Sequence, residues 1–463
     1  MSQVRKYALA GAPLLGVLIG LALMGGGLDV KAAMTAGVTT WVALWWVLEP
    51  IPIPATSLIP FVAFPLLGVL TNKEVATAYG HWLILLLLGG FILSTAMERS
   101  GVHRRLALGM LHLTGRGGAR RTLLAFMLAA ALCSWWISNT ATTLMLLPIA
   151  MAVLGDSKGS FRETLLLGIA YGASIGGIAT PIGTPPNVVL MGVYQEMSGK
   201  EVGFLDWMTF GVPISFTLLL GAWFYLARTL GPSGEEDVSL PALGPWTSFE
   251  RRVLGVFVVT ALAWMSRTQP FGGWRGLLGG VGVGDDTVAL GAVVALFIIP
   301  TGRERGERLL DWESAQKIPW GLLILFGGGI ATAKAFVASG LSEQIGASLQ
   351  YMMQWPFWAL VAVLCLMVTF LTELTSNTAT TTLLMPILAA AAVSAGIEPL
   401  TIMVPAAISA SCAFMLPVAT APNAIVFGTG YIPVRAMVRR GALLNLMGVV
   451  VITGFLLLFW EVP

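Results

Sequence analysis

An all-α membrane protein built from two repeated halves is the fold class that this sequence predicts. Of its 463 residues, 56% are hydrophobic and 11% are charged, and its mean hydropathy is +0.84. Soluble domains carry about 25% charged residues, so this chain has too few charges to cover a water-facing surface. A string of polar residues also occurs twice, once in each half of the chain, and indicates an internal repeat.

Apolar stretches of spanning length recur along the chain, at 7–28, 207–227, 287–300 with its flanks, and 441–460. A transmembrane helix needs about 20 residues, so we expect about eleven transmembrane helices and some shorter re-entrant pieces. Arg5 and Lys6 predict a cytoplasmic N-terminus by the positive-inside rule. An odd number of spans, with only Glu461 charged after Trp460, then places the C-terminus outside a cell (inner) membrane.

The composition argues against several classes of function. A net charge of +3 does not suit a nucleic-acid-binding protein. Cys133, Cys365 and Cys412 lie in apolar sequence without the spacing of a disulfide framework or a metal site, and the three histidines have no such spacing either. The sequence has no phosphate-cradling loop. We therefore expect no enzyme and no organic cofactor, with an ion gradient or a counter-substrate as the energy source.

The repeat is defined by three pairs of landmarks. They are the string Ser-Asn-Thr-Ala-Thr-Thr at 138–143 and 376–381, the residues Trp82 and Trp320, and the residues Thr184 and Thr420. The two strings and the two tryptophans are separated by the same number of residues, and the two threonines by two fewer. This agreement predicts a duplicated unit, which we favour as an inverted repeat. An exposed linker rich in Gly, Pro and acidic residues is expected at 228–250.

Two apolar runs, 81–101 and 320–340, contain glycines near their middle, at 89–90 and 327–329. Two short halves that meet at these glycines would form a re-entrant hairpin, and we expect one such hairpin in each repeat. The alternative is an ordinary span with a glycine kink, because glycine is frequent in transmembrane helices.

Each polar string lies between two apolar helical runs. Ser, Asn and Thr favour helix N-caps and turns over helix interiors, so we expect each string at a break between two half-helices. The positive N-terminal end of the second half-helix suits a carboxylate, and the oxygens of the break suit Na⁺. The alternative is hydrogen bonding between helices as packing.

The Pro-rich segments 183–187 and 419–423 cannot continue a helix, because proline removes a donor and clashes with the preceding turn. Carbonyls freed at membrane depth need a partner, and a cation is one. Ser134 and Thr372 each precede their string by one helical turn and would add an oxygen. Neutral oxygens suit Na⁺ better than a divalent ion, which recruits Asp or Glu.

Glu373 lies in apolar sequence beside the second string. We interpret it as a structural carboxylate that pairs with a backbone N–H or with a basic side chain such as Lys334. A role in proton coupling is the alternative.

Together these motifs make the chain resemble the divalent anion/sodium symporter family, whose members carry dicarboxylates, citrate or sulfate with Na⁺. The resemblance extends from Trp46 to Gly430 and rests on the segments 49–57, 138–142, 183–187, 376–380 and 417–423. It implies a homodimer that works by an elevator mechanism, with a scaffold domain and a transport domain in each protomer. The implied domains are scaffold helices at 1–79 and 251–318, and a hairpin, a broken helix and further spans at 80–227 and at 319–463.

The resemblance also implies residue roles. The substrate carboxylates would contact Ser138, Asn139, Thr140, Thr184, Pro185, Ser376, Asn377, Thr378 and Thr420. One Na⁺ would bind near Ser134, Ser138, Asn139 and Gly183, and a second near Thr372, Ser376, Asn377, Ala419 and Ala421. Two or more Na⁺ ions would thus neutralise a dianion at low dielectric. Ala421 replaces a proline of the family pattern and restores an N–H, so we expect a looser second Na⁺ site.

The leading hypothesis is Na⁺-coupled symport of a C4-dicarboxylate such as succinate, fumarate or malate. Dicarboxylate exchange without Na⁺, and a citrate or sulfate substrate, are the alternatives within transporters. An anion channel or a membrane scaffold is the alternative from another class. A channel lines a continuous pore with polar faces on several helices, whereas the polar residues here concentrate at two breaks.

Overall fold

The computed structural model describes residues 3–114, 118–155, 160–230, 243–268, 272–279, 282–303, 306–349 and 355–459. The regular structure in these ranges is helical, apart from one isolated β-bridge between Pro300 and Arg308. Six of the described helices are long and apolar enough to cross a membrane, and four shorter apolar helices accompany them. This is the pattern of a multi-pass membrane protein. The expected number of about eleven spans stays a prediction.

Twelve helices form the first half. They are α1 (Gln3–Gly25), α2 (Val30–Leu48), α3 (Ile53–Thr56), α4 (Ile59–Leu66), α5 (Asn72–Tyr79), α6 (Trp82–Ser100), α7 (Val102–Thr114), α8 (Ala119–Ser134), α9 (Asn139–Leu154), α10 (Ser160–Gly176), α11 (Pro185–Ser198) and α12 (Phe204–Arg228). A short 3₁₀ turn at Gly177–Ala179 follows α10.

The second half contributes eleven described helices. They are α13 (Ser248–Met265), α14 (Gly273–Leu277), α15 (Asp285–Ile298), α16 (Trp312–Ala315), α17 (Trp320–Ala338), α18 (Leu341–Leu349), α19 (Phe357–Thr372), α20 (Asn377–Ser394), α21 (Leu400–Ala410), α22 (Ala421–Phe427) and α23 (Val434–Phe459). Residues 231–242 of the predicted linker, and the tail from Trp460 used to orient the C-terminus, lie outside the described residues. One cluster of buried apolar side chains extends from α2 to α23.

Local sequence accounts for several helix ends. Thr71 and Glu74 form a capping box at the start of α5, and Thr247 with Glu250 does the same at α13. Each box satisfies two backbone N–H groups that a helix N-terminus leaves without a partner. Gly101 ends α6 with a φ of 81°, a left-handed conformation that glycine adopts without strain.

The glycines of α6 and α17 do not break these helices, so the prediction of re-entrant hairpins at those glycines is wrong. Both helices are continuous over 19 residues. The glycines allow other elements to come close instead. A Cβ on Gly89 would lie 2.5 Å from the Cβ of Ala289, and one on Gly328 would lie 2.6 Å from the carbonyl oxygen of Ser57. Small residues commonly serve such close packing between membrane helices.

The first polar string lies at the tip of a helical hairpin. Gly168 and Gly176 of α10 contact Leu123 and Ala131 of α8 in the same order along both helices, so α8 and α10 run parallel. Because α10 begins shortly after α9 ends, α9 must return antiparallel to α8. The chain reverses at the residues between them, where the string begins.

The second string occupies the same position in its half. The Oγ1 atoms of Thr369 and Thr372 lie 3.5 and 3.0 Å from the carbonyl oxygens of Ser409 and Ala410, so α19 and α21 end side by side. α20 leads away from this point and α21 returns to it. The strings therefore lie at helix breaks, as predicted, but these breaks are hairpin tips rather than interruptions of one broken helix.

The Pro-rich segments form the true interruptions. α10 and α11 are separated by residues 177–184, and α21 and α22 by residues 411–420. Pro185 occupies the first position of α11, where its missing N–H costs no hydrogen bond. The prediction that these segments interrupt helices is confirmed.

The equivalent helices α6 and α17 run in opposite directions. His81, just before α6, and Lys334, near the end of α17, both contact Glu196 of α11. Glu98 near the end of α6 and Leu322 near the start of α17 both line one cavity. Opposite directions of equivalent helices are what an inverted repeat requires.

Candidate functional site

One cavity of about 900 Å³ lies where the two hairpin tips and the two helix interruptions meet. All residues for which we predicted substrate contact line its wall: Ser138, Asn139, Thr140, Thr184, Pro185, Ser376, Asn377, Thr378 and Thr420. The fold thus brings together groups from four separate segments of the sequence. Four charged side chains also line the cavity, those of Arg5, Glu49, Glu98 and Lys317.

Two helix N-termini point their first turns at this cavity from the two halves. Ser138 is the N-cap of α9, and its Oγ accepts a hydrogen bond from the backbone N–H of Ala141 at 3.2 Å. Ser376 is the N-cap of α20 and makes no capping hydrogen bond with its side chain. Each N-terminus carries a partial positive charge and N–H groups without a helical partner. The arrangement attracts an anion from both sides without a basic residue in either string.

The asparagines of the two strings are held by the residues one turn below each tip. Ser134 Oγ donates a hydrogen bond to Asn139 Oδ1, and Thr372 Oγ1 donates to Asn377 Oδ1 at 2.6 Å. Ser134 and Thr372 are fully buried and lie behind the cavity wall. They fix which way each asparagine points, and their hydroxyls lie beside its amide oxygen.

Several oxygen atoms lie close together at the first helix interruption, residues 177–184. A Cβ on Gly183 would lie 2.5 Å from the carbonyl oxygen of Gly177 and 3.0 Å from that of Ser134. A Cβ on Gly177 would lie 2.7 Å from Asn139 Oδ1. Only glycine permits this approach, and the neutral oxygens form a donor set that suits Na⁺. Gly177 was missed from the sequence, although a glycine before a helix interruption was a usable signal.

The second half does not have these glycines. Ala413 and Ala419 occupy the positions that correspond to Gly177 and Gly183. The second interruption also starts differently, because Thr420 Oγ1 accepts a hydrogen bond from the N–H of Asn423 at 3.3 Å, a cap that Thr184 does not make. The oxygen atoms around the two helix interruptions are therefore arranged in related but different ways. The looser second cation site stays a prediction.

A buried asparagine holds each interruption in shape. Asn187 Nδ2 donates to the carbonyls of Gly177 and Thr180 at 3.0 and 2.7 Å. Asn423 Nδ2 donates to the equivalent carbonyls of the second half at 3.1 and 3.0 Å. Buried carbonyls released from a helix need such donors. The asparagine after each proline is thus a positioning residue that the sequence analysis did not assign.

Glu373 is buried and accepts three hydrogen bonds. The donors are the backbone N–H groups of Met415 and Leu416, at 2.8 and 2.9 Å, and Asn445 Nδ2 at 2.7 Å. The predicted pairing with backbone N–H groups is confirmed, whereas the proposed partner Lys334 pairs with a glutamate of α11 at 3.5 Å. Three donors satisfy an ionised carboxylate, so the arrangement favours a structural role over proton coupling.

Polar contacts join the far end of α11 to the helices α6 and α17. Glu196 lies 3.4 Å from His81 Nε2 and 3.5 Å from Lys334 Nζ. Next to it, Trp82 Nε1 donates to Gln195 Oε1 at 2.6 Å. The opposite end of α11 begins with Pro185 at the cavity wall. One short helix therefore connects the cavity to this polar cluster.

Two antiparallel halves, each with a polar hairpin tip and an interrupted helix at a shared cavity, define the class of secondary transporters. Comparison with known families agrees with this class. The model of the sodium:sulfate symporter transmembrane region matches residues 7–462. The chain belongs to this family, the divalent anion/sodium symporters.

Related proteins support the assignment. The chain is 41% identical to the sodium-dependent dicarboxylate transporter SdcS of Staphylococcus saprophyticus, over 97% of this chain and 90% of the relative. It is 39% identical to SdcS of Staphylococcus aureus, over 94% and 86%. Its fold resembles the YdaH transporter of Alcanivorax borkumensis, with a TM-score of 0.60 over 87% of this chain and 89% of that one, at 15% identity.

Proposed function

We propose that this protein carries C4-dicarboxylates such as succinate, fumarate and malate across the cell membrane, driven by Na⁺. The observation that carries this proposal is the cavity in which two helix N-termini meet groups of neutral oxygens. A dianion needs positive potential at both ends, which the N-termini and bound cations supply. The SdcS relatives, named as sodium-dependent dicarboxylate transporters, favour the same substrate class.

The proposed roles follow the geometry. One carboxylate of the substrate contacts Ser138, Asn139 and Thr140, and the other contacts Ser376, Asn377 and Thr378, with Thr184, Pro185 and Thr420 between them. One Na⁺ binds at Ser134, Ser138, Asn139 and Gly183, and a second at Thr372, Ser376, Asn377, Ala419 and Ala421. The cations bind beside the asparagines that hold the substrate, so binding of either partner favours the other.

The transport step that we propose is an elevator motion in a homodimer. The hairpins α8–α9 and α19–α20 and the interrupted helices would move as a transport domain against the scaffold helices at 1–79 and 251–318. We add α6 and α17 to that scaffold, because they are continuous helices and not the hairpins expected there. Opposite directions of α6 and α17 support two alternating openings of one site. Because Arg5 lines the cavity, the positive-inside rule favours a cavity open to the cytoplasm, with the C-terminus outside.

Dicarboxylate exchange without Na⁺ is the second candidate. It is favoured by Ala413, Ala419 and Ala421, which replace the glycines and the proline of the first half. If the second site binds Na⁺ only weakly, Na⁺ cannot drive transport. The transport domain would then return only with a second dicarboxylate bound, which is exchange. Sulfate and citrate remain candidate substrates, sulfate because the matching family model is described by it.

Uptake of labelled succinate into proteoliposomes tests the proposal. We expect uptake under an inward Na⁺ gradient and none under the same gradient of K⁺. Uptake that appears with either ion only after the vesicles are loaded with unlabelled dicarboxylate would show exchange and overturn Na⁺ coupling. Unlabelled sulfate and citrate as competitors would identify a different substrate.

A further inference from the structure

A groove of about 500 Å³ lies between α13 and α15, and none of its lining residues lines the substrate cavity. Its walls are small and apolar. Gly255 and Gly291 face open space, with no other atom within 4 Å of a Cβ built on either residue. The outer rim is apolar as well, since the lining residue Val259 is 67% exposed. The apolar stretch 287–300 of its wall is expected to span the membrane, so that the groove would face the acyl chains of the bilayer.

Arg252 lies at one end of the groove, and two further arginines, Arg251 and Arg303, are near it. Arg252 lines it and donates from Nη1 to the carbonyl of Pro300 at 2.6 Å. Arg251 is exposed beside it, and Arg303 follows Gly302, where an added Cβ would lie 3.2 Å from Arg252 Cζ. Within the described ranges, no carboxylate lies within 4.0 Å of the guanidinium of any of these three arginines. Among the described residues, the end of the groove therefore carries positive charge that no contacting carboxylate neutralises.

This combination points to one occupant. Arginine is suited to phosphate because its planar group forms paired charge-assisted hydrogen bonds, and basic pockets between transmembrane helices bind anionic lipid headgroups. A second copy of the chain fits less well. A two-fold interface presents the same patch on both subunits, so the arginine clusters of both copies would lie on the same side of the membrane and repel each other.

We propose that this groove binds an anionic phospholipid, with the phosphate at Arg252 beside Arg251 and Arg303 and one acyl chain along Gly255 and Gly291. The site is separate from the substrate cavity and does not depend on the proposed transport function. The positive charge of the arginines selects an anionic headgroup, and the space beside Gly255 and Gly291 accommodates the acyl chain.

Native mass spectrometry of the purified protein tests this proposal by counting bound lipids during titration. Phosphatidylglycerol is compared with phosphatidylethanolamine of the same acyl chains. We expect phosphatidylglycerol to bind about tenfold more tightly, because both lipids offer a phosphate but the ammonium of phosphatidylethanolamine cancels its charge and is repelled by the arginines. Gly291→Leu adds a large apolar side chain where an added Cβ has no neighbour within 4 Å and should weaken binding by about tenfold. Arg252→Gln should remove the preference for the anionic lipid.

Two variants serve as matched controls. Gly454→Leu adds the same side chain at a glycine of α23 that also faces open space, and Arg435→Gln removes an exposed arginine of α23. Both should bind lipid like the natural protein. Equal binding of the two lipids by the natural protein would overturn the proposal, and so would equal losses in Gly291→Leu and Gly454→Leu. If Gly291→Leu changes the oligomeric mass rather than the lipid count, the groove is an interface between copies.

Discussion

Thr372 donates a hydrogen bond of 2.6 Å to the amide oxygen of Asn377 across the second hairpin tip. The same hydroxyl lies 3.0 Å from the carbonyl of Ala410 at the end of α21. The buried side chain of Thr372 therefore contacts both Asn377, which lines the cavity, and the end of α21, whose interruption also lines it. Substrate contact and the proposed cation contact consequently depend on the same few atoms.

Replacing the cavity asparagines should remove transport and leave the fold intact. Asn139→Ala and Asn377→Ala each delete an amide at the cavity wall, so we expect uptake to fall by about 100-fold, the cost of two lost polar contacts to a charged substrate. Uptake of labelled succinate measures the effect, and the melting temperature in detergent reports folding. Asn72→Ala, at an exposed position, is the control. Near-normal uptake by either cavity variant would contradict the assignment.

The first helix interruption should not tolerate a methyl group. Gly183→Ala places a Cβ 2.5 Å from the carbonyl of Gly177, and backbone cannot move aside as a flexible side chain can. We expect at least a loss of about tenfold in uptake, with a higher Na⁺ concentration for half-maximal rate. Initial rates across a Na⁺ series measure both quantities. Gly109→Ala, where an added Cβ has no neighbour within 4 Å, should behave like the natural protein.

The alanine that occupies the matching position in the second half provides the reverse test. Ala419→Gly should leave uptake within about twofold, because glycine removes no polar contact and costs about 1 kcal/mol of backbone freedom at most. Equal losses of uptake in Ala419→Gly and Gly183→Ala would contradict the inference that the two halves place different sets of oxygen atoms around their proposed cation sites.

Buried hydrogen bonds to Glu373 should matter for stability. Glu373→Gln keeps the size of the side chain but places an N–H donor against the N–H of Leu416, even when its remaining oxygen keeps the contacts with Met415 and Asn445. We expect the free energy of unfolding to fall by about 2–4 kcal/mol, the cost of an unsatisfied buried polar group. Thermal unfolding in detergent measures it, with the exposed Glu313→Gln as control. An unchanged melting temperature together with lost pH dependence of transport would favour proton coupling instead.

The residues that form the cavity could be predicted from sequence because they are local exceptions to an apolar background. Uncharged polar strings at membrane depth are costly unless they bind a ligand or one another, and their repetition at one spacing indicates that the two sets belong together. The role of Gly89 and Gly328 could not be predicted in this way. Whether a glycine breaks a helix or admits a neighbour depends on partners such as Ala289 and Ser57, which are distant in sequence.

Polar contacts at the far end of α11 should stabilise the present conformation. Glu196 contacts both His81 and Lys334, and partly exposed pairs contribute about 1 kcal/mol at most. Glu196→Gln should therefore reduce the population with this cavity open by about fivefold. A cysteine introduced as Val418→Cys, at a cavity residue that is 80% exposed, reports that population by its rate of labelling. The three natural cysteines are buried.

The labelling experiment separates a conformational effect from a local one. Glu313→Gln in the Val418→Cys background should leave the labelling rate unchanged, because Glu313 belongs to the short helix α16 and not to this cluster. A slower rate in Glu196→Gln that recovers with bound succinate would support a shift of populations. An unchanged rate would show that the cluster does not restrain the motion.

The contact between Glu250 and Arg105 should make stability depend on acid. Burial alone raises the pKa of Glu250, but the hydrogen bond from Arg105 at 2.8 Å and the two from Thr247 outweigh it, so the pKa lies below its usual value. A carboxyl whose pKa is lowered by folding contributes stability above its unfolded pKa of about 4.3. That contribution disappears as the pH falls through the lower pKa of the folded state.

Glu250→Gln removes this dependence. The natural protein should therefore melt at a higher temperature than Glu250→Gln at pH 7, and the difference should shrink as the pH falls below about 4. Melting curves of both proteins in detergent across this range measure the difference. A gap between the two proteins that stays constant down to pH 3 would mean that the charge of Glu250 adds nothing beyond its role as a helix cap at Thr247.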